Sequence, residues 1–151
     1  MAKYRVATVD EIPVGGRKLI TIAGRSIGVF NIDGEFYALR NRCPHQGGPL
    51  CQGRLTGFLT SQAPGTYEYT RRGEILKCAW HGWEFDVKTG QSWVDPGQTR
   101  VRTYPVSVET VHEREAPDTA SVDMETGRVK GPYIAETYDV SVERQLVFVE
   151  I

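Results

Sequence analysis

Two short segments, Cys43-Pro44-His45 and Cys78-Ala79-Trp80-His81, constrain this chain more than any other feature. Each offers one thiolate and one imidazole within a few residues. The chain has only three Cys and three His, so these segments take up most of its capacity for soft-metal binding. A Cys2His2 set holds one zinc ion in tetrahedral geometry. It also holds a [2Fe–2S] cluster, with thiolates on one iron and imidazoles on the other. Zinc fingers usually pair Cys with Cys and His with His along the chain, whereas each segment here carries one of each. The mixed order suits a dinuclear site gripped by two facing loops. A zinc-binding structural module stays open as the other reading.

Around these segments the chain reads as short β-type runs broken by Gly turns. Strands are expected over Lys18–Ala23 and Ser26–Ile32, joined by a turn at Gly24-Arg25. Asp33-Gly34 is a strong hairpin signal between β-rich arms, and Glu35–Arg40 then delivers the chain to Cys43. Asp10-Glu11-Ile12-Pro13 reads as a turn with one helical turn at most, and Trp83–Val87 as a strand. No segment sustains a 3.6-residue apolar period, so long helices are not expected.

The runs Asn41-Arg42-Cys43-Pro44-His45-Gln46-Gly47-Gly48-Pro49-Leu50 and Cys78-Ala79-Trp80-His81-Gly82-Trp83-Glu84-Phe85 resemble the two cluster-binding loops of Rieske [2Fe–2S] proteins. The likeness takes in Ile27–Leu39 before the first loop, Gly53 and Leu55 after it, and the closing run Leu146–Ile151. It implies an all-β Rieske fold: an antiparallel β-sandwich base with a smaller two-loop cluster-binding subdomain. It implies a single domain over 1–151 with the subdomain at about 41–95. It also implies that Cys43 and Cys78 bind one iron and His45 and His81 the other, in one [2Fe–2S] cluster with no catalytic residue. The far ring nitrogens would face solvent and give the electron its exit.

The chain departs from that family in two places. The stretch from Gln46 to Lys77 is about twice the usual length. Its surplus, about 58–72, carries Pro64-Gly65 and Arg72-Gly73 around the strand-like run Thr66–Thr70, which predicts an added surface hairpin. A second surplus, about 110–137, separates two near copies, Thr103–Glu109 and Thr137–Glu143. It reads as a polar excursion with one hairpin at Thr126-Gly127, followed by a terminal hairpin from Tyr138 to Ile151 turning at Arg144-Gln145.

Respiratory members of the family carry a disulfide that clamps the loops, and Trp80 stands where its second-loop Cys would be. Cys51 therefore has no evident partner and reads as a small buried hydrophobe. High-potential relatives place Ser and Tyr hydroxyls where this chain has Trp83 and Phe85, which implies a potential at the low end of the Rieske range. The aromatics Trp80, Trp83, Phe85 and Trp93 are expected to pack under the cluster.

The second loop is similar to that of bacterial ring-hydroxylating oxygenases and their soluble ferredoxins. An oxygenase iron held by two His and a carboxylate needs more His than this chain has. Only His112, expected in a solvated loop, is left over. The resemblance thus implies a soluble, cytoplasmic one-electron carrier rather than an enzyme. It would pass electrons from a flavin-containing reductase to a terminal oxygenase or other redox acceptor. The alternative is a small Rieske subunit of a larger oxidoreductase, such as a nitrite-reductase-like enzyme. A net charge of −1 gives no case for nucleic acid, and no apolar stretch approaches the length of a membrane span. No apolar leader follows Met1, and few Cys fit a reducing compartment.

Overall fold

The computed structural model describes residues 2–114, 122, 124–132, 138 and 140–151. Its strands are β1 (Lys3–Thr8), β2 (Arg17–Ile22), β3 (Arg25–Ile32), β4 (Glu35–Arg40), β5 (Arg54–Ala63), β6 (Thr66–Lys77), β7 (Glu84–Asp86), β8 (Thr103–Tyr104), β9 (Val106–Arg114) and β10 (Ser141–Glu150). They form three antiparallel sheets in the orders β1-β10-β9, β2-β3-β4-β8 and β5-β6-β7. Helix among the described residues is confined to two 3-10 turns, Val9–Glu11 and Leu50–Gln52. The first falls where one helical turn is expected.

The middle sheet is made by the run from Ile27 to Ile32, every residue of which is buried. Side chains alternate across a strand, so a run buried throughout has a core on each face. Ile27 and Val29 join Ala7, Ile22, Ala38, Val147 and Val149 in one core. Phe30 and Ile32 join Leu39, Leu50, Leu76, Phe85, Val87, Cys43 and Cys78 in the other. The middle sheet and the β1-β10-β9 sheet therefore make the sandwich base, and the metal-binding segments lie over the opposite face. At the β3–β4 turn both Asp33 and Gly34 take positive φ, 53° and 91°, as a two-residue hairpin of this hand requires. Buried Asn31 serves both edges of that turn. Its amide donates to Ile12 O at 2.8 Å and its carbonyl accepts from Gly34 N at 2.9 Å.

The structure corrects several expectations. Ser141–Glu150 is one uninterrupted strand, not a hairpin, with Arg144 opposite Val111 and Gln145 opposite Thr110. Its continuous apolar half, Leu146 to Val149, is held between β1 and β9, and that pairing overrides a weak polar turn signal. His112 lies on β9 opposite Glu143, exposed but not in a loop. The β2–β3 turn falls at Ala23-Gly24, one residue early. Residues 58–72 form the outer part of the continuous β5–β6 pair, which turns at Pro64-Gly65. Val122 pairs with Val129 across a turn at 124–126, as Thr126-Gly127 predicts. Residues 115–121, 123, 133–137 and 139 of the expected excursion and second copy lie outside the described residues.

Candidate metal centre

The two metal-binding segments fold into matching loops. In the first, Cys43 N donates to Gly48 O at 2.8 Å and Gly47 N donates to Cys43 O at 2.8 Å. In the second, Cys78 N donates to Trp83 O at 2.8 Å and Gly82 N donates to Cys78 O at 2.9 Å. The fifth residue of each loop, Gly47 or Gly82, takes φ of 79° or 71°, a backbone that side chains other than Gly adopt at a cost. The equivalence was hidden in the sequence because His follows Cys by two residues in one loop and three in the other.

β4 feeds the first loop and β6 the second, and β7 leads the chain away from it. The loops meet where a Cβ on Gly48 would come within 2.7 Å of the Trp80 ring, so only Gly admits that contact. The Cys43 and Cys78 thiols are buried and close enough for each to feel the other's charge. Burial pushes the Cys43 thiol above its ordinary pKa, and neighbouring Cys78 adds to the shift. The His45 and His81 rings meet edge to face with centroids 4.8 Å apart. His45 Nδ1 is buried without a hydrogen-bond partner, while His81 is exposed.

These observations fit a two-metal cluster. Thiols that ionise reluctantly in an apolar site become thiolates when a cation takes the proton's place. An unpartnered buried ring nitrogen is costly unless a metal takes its lone pair. The four side chains approach as like pairs, Cys with Cys and His with His. Among the described residues no three Cys, His, Asp or Glu converge on a site for one ion.

Supporting contacts are of two kinds. The Trp83 ring stacks on His45 at 4.0 Å and 13°, and Phe85 is fully buried, both close to expectation. Trp80 and Trp93 differ, at 57% and 43% exposed. Trp93 meets Phe58 edge to face at 5.0 Å, so it covers the β5–β6 pair rather than lying under the loops. Two residues escaped sequence reasoning. Asn41 Oδ1 accepts from Cys51 N at 2.8 Å, closing the first loop on itself. Arg17 donates to Cys51 O at 2.9 Å and also to Gly53 O. Asn41 adjoins the motif and its short amide is a recognisable loop-closing signal; Arg17 has no local signal at all.

Cys51 packs against Gly28, where a Cβ would lie 2.6 Å from Cys51 Cβ. Burial pushes its thiol up to about 12, so it stays protonated and unreactive near neutrality. We expect iodoacetamide at mildly alkaline pH to modify the Cys51 peptide only after denaturation, as read by mass spectrometry. Rapid labelling of the folded protein would contradict that burial. An unfolded chain releases the proton near about 8.5, so the folded form holds the extra proton between there and about 12. Stability falls as pH rises through that window.

Residues 2–105 match the protein family described as the Rieske [2Fe-2S] domain. The chain is 28% identical over 109 residues to the biphenyl dioxygenase ferredoxin subunit of Pseudomonas sp. strain KKS102, covering 72% of this chain and 86% of that one. The solved ferredoxin of Sphingomonas yanoikuyae B1 is similar at 28% identity and a TM-score of 0.54, over 72% of this chain and 91% of its own. The ferredoxin of carbazole 1,9a-dioxygenase from Nocardioides aromaticivorans IC177 is similar at 26% identity and a TM-score of 0.53, over the same shares. With a match spanning well over half its length and two loops built to present paired Cys and His, the chain belongs to the Rieske [2Fe–2S] domain family.

Proposed function

We propose that this protein is a one-electron carrier that takes electrons from a flavin-containing reductase and delivers them to a ring-hydroxylating oxygenase. The observation that carries the reading is the buried, unpartnered His45 Nδ1 beside the exposed His81 ring. Cys43 and Cys78 would hold one iron and His45 and His81 the other, and residues of about 41–95 form the cluster-binding subdomain. A bound [2Fe–2S] cluster supplies reversible one-electron chemistry without an open metal position. The chain's residues do the rest. Trp83 holds the His45 ring by stacking, the loop backbones fix both Cys, and the buried face beneath them excludes water.

The similar ferredoxins serve biphenyl and carbazole dioxygenases by name, which supports an oxygenase as acceptor. Within these 151 residues only His112 is left for a second iron site, which supports a carrier role over that of the oxygenase. No helix among the described residues is long and apolar enough to cross a membrane, in keeping with a cytoplasmic role. A place as the small subunit of a nitrite-reductase-like enzyme is the second reading; co-purification of a large subunit would favour it.

The purified protein is expected to be red-brown and to give a rhombic low-g EPR signal on reduction. Colourless protein with stoichiometric zinc would overturn the proposal. Neither Trp83 nor Phe85 offers a hydroxyl to the cluster sulfurs, so the midpoint potential is expected near about −150 mV. A redox titration giving more than about +100 mV would contradict it.

A further inference from the structure

Four exposed arginines border one cleft. Arg40 and Arg42 flank Asn41, which accepts from Cys51 N, and both arginines are exposed. Arg100 and Arg102 flank Val101, which is buried at 5% exposure, and both are exposed in the same way. The two segments run side by side, with Arg40 N donating to Arg102 O at 2.9 Å. All four side chains line an open cleft of about 380 Å³ whose remaining wall is Cys43, Pro44, His45, Gln46, Gly47 and Val101. Arg100 donates to Thr89 O at 3.2 Å and Arg102 lies over the Tyr104 ring. Among the described residues none of the four forms an ion pair with a carboxylate. The chain as a whole carries a charge of −1, so this concentration of positive charge is local. It borders the loop that holds His45.

We propose that this arginine-lined cleft is the docking face for a redox partner that presents a cluster of carboxylates. The inference rests on the carrier reading. Unpaired guanidiniums at the edge of the first loop attract an acidic surface from a distance and suit carboxylates bidentately at contact. Steering of this kind raises the encounter rate and aligns the partner with the exit edge without holding it long, which a carrier needs. The cleft is open and four of its lining residues are exposed arginines, so it fits a protein surface better than an enclosed small anion.

The test uses the whole chain and a fluorescently labelled octaglutamate peptide, with binding read by anisotropy at low salt. Replacing all four residues (R40Q/R42Q/R100Q/R102Q) should weaken binding by about tenfold or more. The control R5Q/R144Q, on the opposite sheet, should bind as the parent does. Added salt should abolish parent binding. Each double variant, R40Q/R42Q or R100Q/R102Q, should lose part of the affinity, which keeps the test decisive if the fourfold variant does not fold. Equal affinity in parent and variants would overturn the proposal. Stoichiometric saturation by inorganic phosphate with no peptide binding would overturn it in favour of a small-anion site. The peptide assay needs no bound cluster. A red-brown protein that fails it loses this docking face and keeps its carrier role, whereas a colourless one loses the carrier role while the cleft is still tested.

Discussion

Replacing His45 or His81 with Ala is expected to abolish the visible absorbance and the low-g EPR signal completely, and His112→Ala is expected to leave both intact. In the proposed ligand set each of these imidazoles is one of four donors, and the third His of the chain, His112, lies on β9, in the sheet across the sandwich from the two loops. His45→Ala also removes the ring on which Trp83 stacks. His81 is exposed and its ring meets only the edge-to-face contact with His45, so His81→Ala removes a ligand with less loss of packing than His45→Ala, which also loses the Trp83 stack. The circular dichroism of both variants should stay close to that of the parent, because neither side chain belongs to either core. Retention of a Rieske spectrum by either variant would remove that residue from the ligand set. Cys43→Ser and Cys78→Ser should behave like the His variants.

The site was more legible than the fold around it. The two Cys and His pairs, their turn-forming glycines and the aromatic at position 83 were readable because ligand chemistry and tight turns demand particular residue types at close spacing. The hairpin into the first loop was readable for the same reason, since Asp33-Gly34 imposes its geometry locally. What failed depended on distant partners. Arg144-Gln145 looks like a turn in isolation, yet pairing with Val111 and Thr110 on one side keeps the chain extended. Trp80 looks like core material, but it sits at the meeting of the two loops and Gly48 takes only one face of its ring. Arg17 reaches the end of the first loop from a strand far away in the sequence, and no local pattern announces that. The arginine cleft lies between these cases. Its alternation around Asn41 and Val101 is written in the chain, but the adjacency of the two segments appears only in the fold.

Phe85→Ala should be the most destabilising single change near the site. Phe85 is fully buried and belongs to the core that also contains Cys43, Cys78, Leu50 and Leu76. Truncating such a ring typically costs about 3–5 kcal/mol, against a total stability of about 5–15 kcal/mol for a domain of ordinary size. Little slack exists to collapse into the void. β7 is only three residues long and is held by pairing of Phe85 with Leu76 and by a bridge to Ser92. The same short strand follows Trp83, whose carbonyl accepts the Cys78 N–H, so loosening it releases the second loop. Urea unfolding should show a midpoint lowered by an amount matching the lost free energy, with cluster bleaching at correspondingly lower urea. Leu59→Ala, on the β5–β6 pair at 68% exposure, should change stability by no more than about 0.5 kcal/mol. Phe85→Leu should fall between the two, since most of the volume is kept. A Phe85→Ala protein that unfolds within about 1 kcal/mol of the parent would mean that the core under the loops rearranges freely, contrary to the close packing expected of a protein interior.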